Sequence, residues 1–557
     1  MPDFDFSAFR AGQAADNAAA LKTSGIKEST SAVAKAAKPT AAAPASGKAK
    51  APKPRKKAAP KRKADEPPPE PRIGTRRSAR GSTQATSAKD QEERRRILEE
   101  AEARKSEEEA AFKAEQNRRK HGDRELEAET GVTGSGDTES FRDMLKEIAE
   151  SSLDDEDGWE KGKRPEIDAE KLEEETKELE LRGIVKVIPD RIYSMVVHPD
   201  TQRDLVFTGD KTGHISIWDS TNAGKSIHPE KNGSIRDAKP DGGDEDEEGD
   251  EEETEEQQWG KWWVWKGHLA NSVSCLKFRP GDGKQLFSSA YDGTLRSHHF
   301  ERGISEEIID GDRWTDEGLI HSFDFDPTGN ELWASDNNGG LMVRDLREPK
   351  EKAKRWDIDG YKVGCVSINP ANSSMAATSH LKRYMRLWDL SAIRGLPEDA
   401  DTDDLLEKAC LAEFPHEKAC TSAYFDATGT RLASTSYDDA VRIWDIDPQK
   451  LSDYPEGLKW KPANRFTHNC QVGAYVTVIR AKWSTVPALP PHLHVGDMSR
   501  VLDLYSPDGA RVKTFTSEAI TAVPAVSASH PTLAGRYYGG AASGKVSFWT
   551  TPLEDNE

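Results

Sequence analysis

"GDKTGHISIWD", residues 209–219, runs from a turn through a short stretch of alternating β-branched residues to a Trp-Asp pair. Alternation of this kind is the pattern of a half-buried strand, and the glycine before it marks a chain reversal. The stretch recurs. "HEKACTSAYFDATGTRLASTSYDDAVRIWD" (416–445) gives a strand, an Asp-Ala-Thr-Gly turn, a strand, a Tyr-Asp-Asp turn and a strand ending in Trp-Asp. Residues 191–219, 267–300, 321–345 and 363–389 follow the same plan, with weaker copies at 476–505 and 520–549.

These seven copies, at intervals of about 44 to 80 residues, match the WD-repeat signature. A four-stranded blade cannot bury both faces alone, so the copies are expected to close into a ring. The predicted fold class is all-β: a seven-bladed WD-repeat β-propeller over 183–557, with "GIVKVIP" (183–189) as the outer strand of the last blade. An acidic insert at about 225–258 accounts for the longest interval between copies.

The chain ahead of the ring has a different composition. Residues 1–88 are rich in Ala, Lys, Arg, Ser and Pro and offer too little apolar surface to offset ordering entropy, which predicts a disordered basic tail. The segment 89–182 reads as a charged helical linker, with 89–130 as a single charged helix. Within it, 137–151 reads as an amphipathic helix with Phe141, Leu145 and Ile148 on one face, suited to docking on the downstream domain or a partner.

Charge is segregated along the chain. The net value of −20 conceals "KAKAPKPRKKAAPKRK" (48–63), with nine basic residues and no acid. It also conceals "DGGDEDEEGDEEETEE" (241–256), with twelve acids and no base. A polyanion senses charge within a Debye length of about 8–10 Å, so the overall sign does not exclude DNA. The basic clusters favour nuclear import, and the acidic run suits basic partners such as histones. Five widely spaced cysteines without a CxxC pair argue against a disulfide framework or a zinc site and fit a reducing compartment. No apolar run reaches membrane-spanning length, so no membrane partner is expected.

Histidine, serine and aspartate recur at the spacing of the repeat. His416, Ser434, Asp438 and Trp444 in one copy, and His268, Ser288 and Asp292 in another with His298 in the tryptophan slot, read as a blade-stabilising hydrogen-bond network. A catalytic triad is the weaker reading, because the spacing belongs to the repeat. No phosphate loop, paired carboxylates or metal-ligand spacing stands out, so neither an enzyme nor a cofactor is expected. In the opening stretch, Thr212 takes the slot of the network aspartate, which implies a partly lost network.

Aligning the copies on their Trp-Asp ends places Lys211, Lys382, Arg383, Arg500 and Lys545 in or beside the turn between the second and third strands. The loops entering the innermost strands add Arg191, Lys362 and Lys418, on the same face of the ring. Tyr291 and Tyr437 share the register position of Lys211. Cations around a channel with aromatics between them suit phosphates and an unpaired or flipped base.

"RIYSMVVHP", "LVFTGDKTGHISIWD", "VSCLKF", "LFSSAYDGTLRSHHFE" and "HNCQVGAYVTVIRAKW" together resemble the family of WD-repeat-containing protein 76 and the fungal DNA damage-binding proteins of the changed-mutation-rate type. That family is related to the small subunit of the UV-damaged DNA-binding complex. The resemblance covers 183–550, and "RIGTRRSARG" (72–81) resembles a short element ahead of the propeller. It implies a nuclear, chromatin-associated protein that binds damaged or distorted DNA. Where the family reads Gly-Arg-Trp, this chain has Gly473, Ala474 and Tyr475, so Tyr475 keeps an aromatic while a cation is missing. The resemblance also implies a competing role as a scaffold or substrate receptor of a cullin-4 ubiquitin ligase. Docking in that role uses a Trp-Asp-x-Arg motif, for which the nearest match is "RDLR" (344–347).

Overall fold

The computed structural model describes residues 120–129, 136–151, 158–223, 259–269, 271–315, 318–449 and 460–551. The expected basic tail, most of the charged helix and the acidic insert lie outside the described residues. The fold is a seven-bladed β-propeller, built from seven antiparallel sheets of which six have four strands and one has five. Blade 1 shows the pattern: Ile192–Val197, Leu205–Asp210, His214–Asp219 and Trp262–Lys266 pair in sequence order. Blade 7 is assembled from both ends of the ring. Its inner strands Val526–Ser529, Tyr537–Gly540 and Lys545–Thr550 are completed by Glu180–Lys186, whose Val185 sits opposite Val546.

Large residues on the third strands fill the space between blades. Trp218, Trp388, Trp444 and Trp549 are all at most 1% exposed. Neighbouring blades supply the other half of each cluster, as where Trp218 meets Tyr538 and Phe548 of blade 7. Burying a large apolar side chain contributes about 1.5–3 kcal/mol, so these contacts hold the ring as a unit.

The segment before residue 183 is part of this domain. The expected single helix over 89–130 does not extend through the described residues 120–129, where Arg124–Glu125 forms a fifth strand on the edge of blade 2. The edge of Ile304–Asp310 offers unpaired backbone groups that a short extended segment satisfies. Helix α1 (Thr138–Glu150) starts at an Asp137 cap and buries Phe141, Met144, Leu145 and Ile148 against Trp263, Trp265, Phe207 and Leu286. Helix α2 (Ala169–Thr176) packs Leu172 against Val486 and Leu489 of blade 6. The chain thus straps the propeller before it enters blade 7.

Candidate nucleic-acid interface

Each blade runs inward-to-outward through four antiparallel strands, so the loop entering its first strand and the turn between its second and third strands lie at the same end. Backbone bonds join them: Lys211 N–H to Arg191 carbonyl, Leu381 N–H to Lys362 carbonyl, and Tyr437 N–H to Ala419 carbonyl, at 2.9–3.1 Å. The sequence-derived cations therefore share one face of the ring, here termed the entry face.

The turns on this face share one backbone requirement. Gly213, Gly293, Gly339 and Gly544 take the left-handed conformation at equivalent positions, with φ of 93°, 82°, 90° and 78°. Arg383, Asp439 and Arg500 occupy that position in blades 4, 5 and 6, with φ of 77°, 55° and 68°. They are the non-glycine residues with positive φ among those described. A side chain there costs about 1–3 kcal/mol, and in two of three cases it is an exposed arginine.

The remaining cations are placed differently. Lys211 is exposed. Lys382 is exposed, 3.2 Å from Asp359 and 4.1 Å from the Tyr361 ring centre. Lys418 is exposed and donates to Gln471 at 2.7 Å. Arg191 is half-buried, donates to the Ala474 carbonyl and lies over Tyr193. Lys545 is half-buried at the start of its strand, opposite Lys186. Lys362 is half-buried at the channel mouth, 6.0 Å from the Tyr291 ring, and burial together with Arg480 pushes its pKa down to about 8.

Aromatic groups line the mouth. Tyr193 meets Tyr291 edge-on at 6.2 Å, and Tyr291 meets His321 at 4.7 Å, so three blades contribute a continuous rim. Three of the four exposed large hydrophobic residues among those described also lie on the entry face: Tyr361, Leu381 and Tyr475, at 55, 52 and 83% exposure. Tyr361 and Leu381 escaped the sequence reading. The signal for Leu381 was available, because it shares the register of Lys211.

The channel interior adds cations that were also missed. Arg480 and Lys482 stand two residues apart, so both face inward. Together with the Lys277–Asp324 ion pair they line a cavity of about 590 Å³. Arg480 Nε is buried without a hydrogen-bond partner. Burial pushes the Lys482 pKa down to about 8. The cavity reaches the opposite face, where Trp159 and Lys161 of the strap line it.

Comparison with known proteins gives this face its context. Residues 261–298 and 408–445 match the WD domain, G-beta repeat family. The chain is 32% identical over 442 residues to the DNA damage-binding protein CMR1 of Cryptococcus neoformans, spanning 69% of this chain and 72% of that protein. It is 30% identical over 479 residues to the protein of the same name from Mycosarcoma maydis, with 68% and 73% covered. The Neurospora crassa relative is 28% identical over 378 residues. The chain belongs to the CMR1 family of WD-repeat proteins.

In this CMR1-family chain the blade networks vary more than the sequence implied. Blade 2 has a full relay: His268 Nδ1 lies 3.1 Å from Asp292, and His268 Nε2 lies 2.7 Å from Ser288, whose hydroxyl is 2.7 Å from His298. In blade 5, His416 contacts Ser434 at 2.9 Å, but Asp438 pairs with Arg442 at 2.7 Å and Trp444 Nε1 has no partner. Arg442 lies within reach of Asp438 and competes successfully with a neutral histidine. Blade 1 lacks the relay, as Thr212 implies: Thr208 pairs with Ser216 at 2.7 Å and Trp218 Nε1 donates to the Trp259 carbonyl. Asp210 instead caps the turn, accepting the Thr212 N–H and lying 3.1 Å from His214 Nδ1. The "RDLR" stretch is engaged locally: the Arg344 guanidinium bonds the Asp345 and Glu348 carbonyls, and Arg347 pairs with Asp345 at 2.6 Å.

Proposed function

We propose that this chain is a non-enzymatic DNA-binding protein of the nucleus. In this reading the entry face holds phosphates and senses damaged or distorted duplex in chromatin. The observation that carries the reading is the pair Arg383 and Arg500. Each occupies a turn position that the other blades give mostly to glycine, so backbone strain is accepted in order to present a cation. Lys211 and Lys418 extend the cationic rim, and Tyr361 and Tyr475 offer exposed rings for a displaced base. The names of the relatives support the same reading. The basic run at 48–63 adds sequence-independent phosphate binding, and the acidic run at 241–256 is complementary to basic partners such as histones.

The left-handed positions provide a clean test. Arg383→Gly and Arg500→Gly remove charge while relieving strain, so the melting midpoint should stay level or rise. DNA affinity of residues 120–557 should fall, and the slope of log K against log salt should drop by about 0.9 for each phosphate that is no longer neutralised. Adding Lys211→Ala should lower the slope further. If the triple variant binds duplex with the parent's affinity and slope, the entry face is not the DNA site.

A further inference from the structure

Among the described residues, blade 6 carries a charge arrangement that no other blade shares. Three residues after the left-handed turn position, blades 2, 4 and 5 place Arg296, Arg386 and Arg442 on the third strand. Two of these arginines neutralise a nearby aspartate directly: Arg386 pairs with Asp359, and Arg442 with Asp438. Blade 6 has Asp503 in this slot. A second carboxylate, Asp497, lies at the end of the preceding strand. Both face His468, whose Nδ1 is 3.9 Å from Asp497 Oδ2 and 3.9 Å from Asp503 Oδ2. The side chains of His468 and Asp503 are 0 and 1% exposed, and that of Asp497 is 13% exposed.

The hydrogen bonds leave Oδ2 of each carboxylate without a partner and His468 Nδ1 with a single long contact to the Tyr505 hydroxyl. Asp497 Oδ1 accepts the Ser499 N–H at 2.6 Å, and Asp503 Oδ1 accepts the Thr514 hydroxyl. Asp503 Oδ2 is buried and has no hydrogen-bond partner. His468 Nε2 lies 2.8 Å from the Gly496 carbonyl, which fixes the proton on Nε2 and turns the Nδ1 lone pair toward the two carboxylates. Tyr505 OH, 3.3 Å from Nδ1, is a long donor and does nothing for Asp503 Oδ2. Among the described residues no lysine or arginine forms an ion pair with either carboxylate. Burial raises the Asp503 pKa, outweighing the lowering effects of the Thr514 hydrogen bond, His468 and Arg511.

We propose that blade 6 binds a divalent cation of the zinc class through His468 Nδ1, Asp497 Oδ2 and Asp503 Oδ2. The donor set is one imidazole and two carboxylates, with the other imidazole nitrogen anchored to a carbonyl and each carboxylate anchored by a second hydrogen bond. That is the outer-shell arrangement of a built metal site. Zinc at about 2.0–2.1 Å from its ligands needs donor separations of about 3.4 Å in a tetrahedron, reached from the two 3.9 Å imidazole–carboxylate gaps by closing each by about half an ångström, with the carboxylate oxygens already within 4.8 Å of each other. A water or the Tyr505 hydroxyl completes the shell. A second cluster, His121, Asp310 and Asp312, differs: Lys120 already pairs with Asp312, and His121 is engaged by Glu307. The blade 6 cation takes the place of the arginine of blades 2, 4 and 5 and pins the root of the loop that leaves His468 and carries Tyr475.

The test uses the full chain, stripped with a chelator and titrated with zinc chloride, then separately with manganese, magnesium and calcium chlorides. The expected result is one zinc bound per chain and a melting midpoint raised by about 3–6 °C at a hundredfold excess over the dissociation constant. Asp503→Arg installs the residue type of blades 2, 4 and 5. It should bind no zinc at this site and melt at the same temperature with or without metal. Where that variant does not fold, Asp497→Asn at the more exposed carboxylate should lose the bound zinc. The proposal is overturned if the parent chain shows no saturable binding at micromolar zinc, or if the folded variants bind zinc with the parent's stoichiometry. These readouts do not involve DNA, so they stand or fall apart from the entry-face reading.

Discussion

A chain shortened to residues 183–557 is expected to aggregate or to melt roughly 10 °C or more below one comprising 120–557. Sequence alone sets the boundary at 183, where the repeats begin, yet the strap ahead of it supplies core. Phe141, Met144, Leu145 and Ile148 of α1 are buried on Trp263 and Trp265, with Phe141 and Trp265 ring centres 5.7 Å apart. At about 1.5–3 kcal/mol for each side chain, their burial is worth about 6–12 kcal/mol as an upper bound, comparable with the whole stability of a domain. Polar groups lose partners too. Arg296, buried in blade 2, donates to the Lys120 and Gly122 carbonyls at 3.1 and 2.7 Å, so truncation removes two of its four hydrogen bonds and leaves only those to Ser305. The cut also removes Glu180 and Leu181 from the strand that closes blade 7. Thermal melts and gel filtration of the two chains decide the matter. Midpoints within about 2 °C of each other would show that the strap is dispensable.

The repeat made the ring legible, because strand alternation and turn residues recur seven times and each copy checks the others. The cations of the entry face were legible for the same reason, since the register of one turn gives the rest. What escaped the sequence depends on neighbours in space. The segment 120–129 is too charged for its pattern to show a strand, and it becomes one by pairing with the free edge of blade 2. Thr212 correctly marked a missing network aspartate, but the turn cap that Asp210 makes with Thr212 and His214 was not visible, because it depends on the geometry of the turn. The strain at Arg383 and Arg500, and the reversal of charge at Asp503, become readable once the blades are superposed residue by residue. Lys362 and Lys418 carry the same formal charge in sequence, but burial separates them into a channel group of lowered pKa and an exposed cation.

Acidification from pH 7 to pH 5 should remove much of the stability of the propeller, and the histidines that latch blade to blade are the reason. His198 accepts the Asp200 N–H at Nδ1 and donates from Nε2 to the Gly283 carbonyl of blade 2 at 2.9 Å. His530 of blade 7 does the same for its own turn and reaches the Asp200 carbonyl of blade 1 at 3.1 Å. Asn369 performs the equivalent task between blades 4 and 5, accepting the Ala371 N–H and donating to the Gly429 carbonyl. A protonated imidazole cannot accept the turn amide. Burial holds the pKa of His198, His416, His492 and His530 at about 4, against 6.5 for a free side chain. Arg203 and Asp200 flank His198, and Arg536 flanks His530, without reversing that direction. A group whose folded pKa is lowered is neutral in the fold and charged in the unfolded chain between the two values. Its contribution is complete above pH 6.5 and falls away as the pH drops toward 4. At pH 5 each of the four histidines costs about 1–2 kcal/mol, or about 4–8 kcal/mol together, close to a typical domain stability. His121, raised by Glu307, acts in the opposite sense and offsets a small part. Urea unfolding followed by tryptophan fluorescence at pH 7, 6 and 5 measures the loss. His198→Asn with His530→Asn borrows the latch of blade 4 and should reduce the acid-dependent loss by about 2–4 kcal/mol. If this double variant loses as much stability between pH 7 and 5 as the parent, the acid-labile element lies elsewhere in the ring.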